Sequence, residues 1–220
     1  ERKYDGLSYF LSPMRVDGIE TRPIRKITGE YGFTETFFTD ARIPADCLMG
    51  EEGKGWKVAM QTLQYERGAE AGAAGGLMIV RTDIDDMVDQ LDGLTRDGAP
   101  LLTDTGIRDD LVKMIMEEKA NVLATKRASI GPLTTDYPHS LQLSHKLRSS
   151  EASRRRGQMG INLQGAAGSL YVGDDEARQG GFWQRAYFNA YSGTIGGGTS
   201  QIQANIIAEH VLGLPQSGEK

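Results

Sequence analysis

One cysteine and three histidines are the only thiol and imidazole metal ligands in 220 residues. Cys47 stands alone, so no intrachain disulfide can form and no cysteine zinc cluster is available. His139, His145 and His210 are scattered without a partner at ligand spacing and read as structural or surface residues. No run of about 18 uninterrupted apolar residues occurs, which argues against a membrane span. A basic surplus is missing too. With 30 acidic against 25 basic residues the net charge is -5, which disfavours a general nucleic-acid surface. Neither a phosphate loop ending in Gly-Lys-Ser/Thr nor a strand-led G-x-G-x-x-G fingerprint is found. The opening Glu1-Arg2-Lys3 carries no initiating methionine and leads straight into strand-like sequence, as expected of a stretch taken from something longer.

Glycine, by contrast, is plentiful, and its densest use is near the end, in Ile195-Gly196-Gly197-Gly198-Thr199-Ser200-Gln201-Ile202-Gln203. Three glycines hold a helix poorly, whereas Thr199 and Ser200 suit an N-cap, and Ile202, Ile206 and Leu212 then fall near helical spacing. A glycine turn opening onto a helix can offer unpaired N–H groups and a positive dipole end to an anion. Such turns are also ordinary punctuation before helices, so spacing alone leaves both readings open.

The first fifty residues read as antiparallel strands. Gly6 to Met14, Ile19 to Ile27 and Gly32 to Phe38 are rich in β-branched and aromatic residues, with Asp17-Gly18, Gly29-Glu30 and Thr39-Asp40 between them. Three strands leave open edges and are expected to belong to a larger sheet or barrel. Beyond Gly55 the period becomes helical, beginning with Trp56, Ala59, Met60 and Leu63. Helices are expected at about 54–91, 105–130, 140–163, 179–190 and 200–212, with loops at Asp92 to Asp104 and Gly131 to His139. The fold class that follows is mainly α: an up-and-down helical bundle over 51–220, preceded by a few antiparallel strands of an incomplete β-domain over 1–50.

Several strings, in order, resemble an acyl-CoA dehydrogenase from its middle β-domain into its C-terminal helices. They are Gly6-Leu7-Ser8-Tyr9-Phe10-Leu11-Ser12-Pro13-Met14, Arg22-Pro23-Ile24-Arg25, Thr28-Gly29-Glu30, Glu35-Thr36-Phe37-Phe38, Arg42-Ile43-Pro44-Ala45-Asp46 and Gly50-Glu51-Glu52-Gly53-Lys54-Gly55-Trp56. The closing Gly198-Thr199-Ser200-Gln201-Ile202-Gln203 with Leu212-Gly213-Leu214-Pro215 is similar to the end of the same family. The likeness runs through the whole chain, which corresponds to little more than the C-terminal half of such an enzyme. The family's N-terminal helical domain and first β-domain strands lie outside it, so this stretch alone is expected neither to turn over nor to carry flavin.

The resemblance implies a chemistry. A carboxylate removes a proton from the carbon next to a thioester while hydride leaves the adjacent carbon for the N5 of an FAD flavin, so the base must be desolvated and close. Many members carry that base as the Glu of Ile-Tyr-Glu-Gly-Thr in the terminal loop; here the slot is Gly197. Others place a glutamate before an arginine on the first long helix of the C-terminal domain, which matches Glu66 in Gln64-Tyr65-Glu66-Arg67. Glu66 lies three residues after Leu63, seven after Ala59 and seven before Ala73, on the apolar stripe, where an acid is costly unless used or paired. Structural pairing with Arg67, or plain exposure to water, is the alternative reading of the same spacing. Glu70, one turn on, is the next choice, or a neighbour that raises the pKa of Glu66 by repulsion. Gly197 keeps its backbone N–H, which the family uses to polarise the thioester carbonyl.

For the cofactor, the same resemblance makes Thr199 and Gln201 contacts to the flavin's phosphate and ribityl region. Gly165-Ala166-Ala167-Gly168 resembles the turn that meets the ADP part of a neighbouring subunit's flavin, although as bare sequence Gly165 and Gly168 read as a helix C-cap and turn. Where many members carry R-x-Q-F-G, this chain has Arg96-Asp97-Gly98-Ala99-Pro100, keeping the arginine and losing the glutamine and phenylalanine. That divergence looks like bacterial enzymes for bulky or branched acyl-CoA esters, some built from unlike subunits, and implies a cytoplasmic setting. The small residues from Gly68 to Gly76 suit either a wide acyl cavity or close helix packing, and Arg154-Arg155-Arg156 reads as a solvated helix face or a phosphate contact. Expected partners are an acyl-CoA substrate, an electron-transfer flavoprotein or similar acceptor, and further subunits in a homo- or hetero-oligomer. Two other functions fit less of the sequence: a non-catalytic partner subunit completing a homologue's flavin site, and a relative turned to another flavin reaction or to DNA binding.

Overall fold

The computed structural model describes residues 3–67, 84–91, 93–133 and 140–215, with the side chains of residues 64–67, 90 and 140–142 outside that description. The chain divides into two compact units, Glu1–Leu77 and Met78–Lys220.

In the first unit a hairpin pairs β2 (Ile19–Arg25) with β3 (Tyr31–Phe38), antiparallel, in the register Ile19 to Phe38 and Ile24 to Phe33. Gly29, at φ 80, turns the chain between them, and its N–H donates to the Lys26 carbonyl at 2.9 Å. The expected strand Gly6 to Met14 shrinks to β1 (Tyr9–Phe10), between Gly6 at φ 83 and Pro13, which has no N–H for a ladder. β1 pairs antiparallel with β4 (Leu48–Met49). Helix α1 (Gly55–Arg67) begins under β1, where a Cβ on Gly55 would stand 2.4 Å from the Tyr9 nitrogen. Only glycine permits that approach. The hairpin leaves Ile27 73% exposed and Tyr31 and Phe38 66% exposed, so the ribbon covers little of its own apolar surface.

The second unit is helical. It comprises α2 (Ile84–Leu91), a hairpin of β5 (Thr95–Arg96) and β6 (Ala99–Pro100), α3 (Thr105–Ala128), α4 (Ser140–Leu163), α5 (Phe182–Ile195) and α6 (Ser200–Ile206). Arg155 of α4 meets Glu117 of α3 and His145 meets Thr125, so one number rises as the other falls and the two helices run antiparallel. Gly157 faces Tyr187 and Gly160 faces Trp183 in the same sense between α4 and α5. This is the up-and-down arrangement. Its core gathers Met87, Leu91, Leu111, Met159, Leu163 and Trp183. A Cβ on Gly160 would lie 2.2 Å from the Trp183 ring, so a glycine that costs a helix about 1 kcal/mol lets a buried indole pack against backbone.

Some expected boundaries move. The loop from Asp92 to Asp104 holds the β5–β6 hairpin, turned by Asp97 and Gly98 at φ 53 and 80, the pattern of a two-residue type I′ turn. Asp104 then caps α3, its Oδ1 accepting the N–H groups of Gly106 and Ile107. The fourth helix starts at Phe182 rather than 179 because Gln179, Gly180 and Gly181 are left-handed, and it continues to Ile195. The fifth passes from α6 into a π turn over Ile207–Val211. Of the first expected helix, 54–91, the described parts are α1 and α2, and residues 68–83 lie outside the described residues. No helix among the described residues is long and apolar enough to cross a membrane.

Candidate functional site

The glycine loop is held from three helices, by backbone from α5 and by side chains from α4 and α6. Gly196 closes α5 by donating to the Ser192 carbonyl at 2.8 Å, and Gly197 and Gly198 follow at φ 66 and 98. The carbonyl of Gly197 accepts from Gln203 Nε2 at 2.7 Å, and that of Gly198 accepts from Lys146 Nζ on α4. Thr199 caps α6 as its sequence predicts, its Oγ1 accepting the Ile202 N–H at 3.2 Å. Gln201 is exposed on the first turn. A Cβ at Gly198 would meet Gln203 Nε2 at 2.8 Å, whereas one at Gly197 would find only Lys146 Cε, at 3.8 Å. Space is therefore open at 197, and the obstacle to a side chain there is the left-handed backbone itself.

Ser200 does not cap. Its Oγ donates to Glu151 Oε1 at 2.7 Å, while Arg154 Nε donates to Oε2 at 3.2 Å. The Ser200 hydroxyl, then Arg154, hold the Glu151 carboxyl below its ordinary range, so it stays ionised near the start of α6. Arg154 is held high chiefly by Glu151, with Tyr191 adding to it; Tyr191 in turn pairs with Tyr187 at 2.7 Å between hydroxyls, and that bond raises Tyr187. One polar chain thus links α4, α5 and α6.

The other glycine pair sits at the far end of α4. Gly165, at φ 60, has nothing within 4 Å of a built Cβ and takes the left-handed place after the helix. Gly168 is buried, and its Cβ would stand 2.6 Å from the Ile161 carbonyl oxygen. Gln184, 3% exposed, ties this turn from α5 by donating to Gln164 Oε1 and the Gly168 carbonyl, each at 3.2 Å. Arg96 reaches the same end, its Nη2 lying 3.5 Å from the Asn162 carbonyl. It lines a cleft of about 510 Å³ with Lys113, Arg154 and Arg155 against two carboxylates, Asp110 and Glu117. At 1.5 Å per residue, about 20 Å of helix separates Glu151 from Gln164, so the predicted residues form two clusters.

Glu66 falls in the last turn of α1, but its side chain lies outside the described residues, as do Glu70 and the run from Gly68 to Gly76. The arginine run is a solvated face in part: Arg155 is exposed and pairs with Glu117, whereas Arg156, its side chain 16% exposed, stands 3.7 Å from Glu118. Lys146, Glu151 and Gln203 escaped the sequence reading. Gln203 had a signal, because it sits four residues after the cap Thr199 and helical side chains lean back toward the N-terminus. Lys146 had none, since its contact spans 52 residues of sequence.

The family described as "Acyl-CoA dehydrogenase, C-terminal domain" matches residues 53–212. Acyl-CoA dehydrogenase IpdE1 of Mycolicibacterium smegmatis is 34% identical over 217 residues, which are 98% of this chain and 51% of the relative. Among solved structures, the Tcur3481-Tcur3483 steroid ACAD superposes with a TM-score of 0.79 at 23% identity, covering 99% of this chain and 54% of that one. The ChsE4-ChsE5 complex from Mycobacterium tuberculosis gives 0.75 at 22% identity, covering 97% and 53%. The chain spans about half the length of the curated relative it matches.

Proposed function

The chain belongs to the acyl-CoA dehydrogenase family, and on that premise we propose that the protein carrying it is an FAD-dependent α,β-dehydrogenase of acyl-CoA thioesters with Glu66 as its base. The observation that carries the choice of base is the terminal loop. It has no carboxylate at Gly197, and its left-handed backbone there disfavours any side chain. Glu66 then takes the α-proton, and the N–H of Gly197 donates to the thioester oxygen, stabilising the charge that develops as the proton leaves.

The residues present suit the cofactor's diphosphate. Of the four cations that line the cleft, Lys113 pairs with Asp109 and Asp110, Arg155 with Glu117 and Arg154 with Glu151, which leaves Arg96 as the one without a carboxylate partner among the described residues, and Gly165 leaves open space where a side chain would intrude. Thr199 and Gln201 would hold the phosphate and ribityl region, while Gly165, Gly168 and Arg96 would hold the ADP part of a neighbouring subunit's flavin. The distance between the two clusters along α4 suits such a division. When bound, FAD supplies the hydride acceptor, and an electron-transfer flavoprotein or similar acceptor would reoxidise it.

In this reading residues 1–50 end a middle β-domain and 51–220 form the helical domain. A wide acyl cavity beside Glu66 would follow from the small residues between Gly68 and Gly76, and one structural neighbour, the steroid ACAD, is named for a bulky ligand class. A second reading, a non-catalytic subunit that completes a homologue's flavin site, draws on the lost R-x-Q-F-G residues and on the two-protein complex among the neighbours. Glu66→Gln in the protein that carries this chain decides between them. Turnover should vanish with flavin retained; near-normal turnover overturns the base, and a homomer that binds no reducible flavin favours the second reading.

A further inference from the structure

Two carbonyls in succession, those of Gly197 and Gly198, are each captured by a side-chain donor from outside the loop: Gln203 Nε2 from α6 and Lys146 Nζ from α4. In a planar trans peptide the C=O and the following N–H point in opposite directions. Capturing the Gly197 carbonyl therefore turns the N–H of Gly198 away from Gln203, and capturing that of Gly198 turns the N–H of Thr199 away from Lys146. Both glycines are left-handed, a region glycine populates as readily as its mirror image, so the sequence alone does not hold these peptide planes. The side chains must.

We propose that Lys146 and Gln203 are positioning residues that lock the two peptide planes following Gly197, so that the N–H groups of Gly198 and Thr199 keep one orientation and the Gly197 backbone, whose N–H faces the thioester in this reading, is anchored from its C-terminal side. This rests on the dehydrogenase reading and deepens it. A loop that has lost its carboxylate keeps only backbone with which to act, and backbone donors polarise a carbonyl only if they are held still before it arrives. Gln203 suits the task because it is 1% exposed and cannot swing into water. Lys146 suits it because a cationic donor makes a stronger hydrogen bond to a carbonyl than a neutral one.

The test uses the full-length protein in four forms: wild type, Lys146→Met, Lys146→Arg and Gln203→Glu, which nearly keeps the glutamine's shape and removes its donor. Amide hydrogen exchange over 195–203, without ligand, reads the loop directly. Exchange should quicken roughly tenfold in Lys146→Met and Gln203→Glu and return most of the way in Lys146→Arg, with the Gly157–Gly160 segment unchanged. Infrared difference spectra with an acyl-CoA carrying 13C at the thioester carbon then read the consequence. The carbonyl stretch should rise toward its value in water in Lys146→Met, and kcat should fall roughly tenfold with KM nearly constant. Unchanged exchange in Lys146→Met, quickened exchange with an unmoved carbonyl band, or an arginine that restores neither would each overturn the proposal. A wild type that binds no thioester instead defeats the dehydrogenase reading, and the exchange result still decides whether Lys146 and Gln203 lock the loop.

Discussion

The two halves of α4 are fixed by different physics. Its N-terminal half is tied by polar side chains: Lys146 to the Gly198 carbonyl, Glu151 to Ser200 and Arg154, and His145 facing Thr125. Its C-terminal half carries ion pairs to α3 as well, Arg155 to Glu117 and Arg156 to Glu118, but its seat on α5 and the following turn is set by contact, with Gly157 against the Tyr187 backbone, Gly160 under the Trp183 ring and Ile161 closed over Gly168. Polar ties respond to pH and to removal of a single donor, whereas close contacts respond to volume. The end bearing the glycine loop is thus the more adjustable of the two.

The contact half should break hardest. Gly160→Ala puts a methyl 2.2 Å from the ring of buried Trp183, and a loss of about 3 kcal/mol of stability is expected from denaturant unfolding of the protein that carries this chain. Gly168→Ala meets a backbone oxygen at 2.6 Å and should cost about 2 kcal/mol. A loss below roughly half of either figure would mean that the contact half relaxes as readily as the polar one.

Acid should separate the halves from the other side. Burial first, and Arg148 second, push the His145 imidazole below its ordinary value, so its neutral form is favoured in the fold. Its stabilising contribution is complete above about pH 6.5 and is lost as pH falls below that value. The Glu151 carboxyl is lowered by Ser200 and Arg154, so its contribution is complete above the carboxylate range, about pH 4 to 4.5, and is lost on further acidification. Unfolding midpoints should therefore drop in two windows, with His145→Gln flattening the upper one and Glu151→Gln the lower. A Gly160→Ala background should lower the whole curve without changing its shape. A change of shape would show that the halves are coupled.

How far the sequence revealed this depends on the range of each contact. The helices from Thr105 and Ser140, the cap at Thr199 and the strands at Ile19 and Tyr31 are local, carried by periodicity and by residues within a turn, and were legible. The Asp97-Gly98 hairpin is carried by a dipeptide that is a strong turn signal, but its two flanking strands of two residues each are too short to show any alternation. The start of α5 was hidden because Gln179 adopts a left-handed conformation that its residue type does not advertise. Lys146, Glu151 and Gln184 act across 52, 49 and 16 to 20 residues, where spacing carries no information.

The smallest effect is the one on which the two ends should agree in stability and differ in chemistry. Gly165 and Gly197 are both left-handed, at φ 60 and 66, and a built Cβ meets nothing within 4 Å at the first and only Lys146 Cε at 3.8 Å at the second. Alanine at either position pays for backbone strain alone, about 1 kcal/mol, against the much larger steric costs at Gly160 and Gly168. If the proposed division of labour holds, Gly165→Ala should weaken flavin retention, measured as the dissociation constant for FAD, while leaving the rate at saturating FAD nearly intact. Gly197→Ala should retain flavin and slow α-proton removal, because a shifted peptide plane misaims its N–H. Equal flavin affinities in the two variants would remove the distinction between a cofactor end and a thioester end of α4.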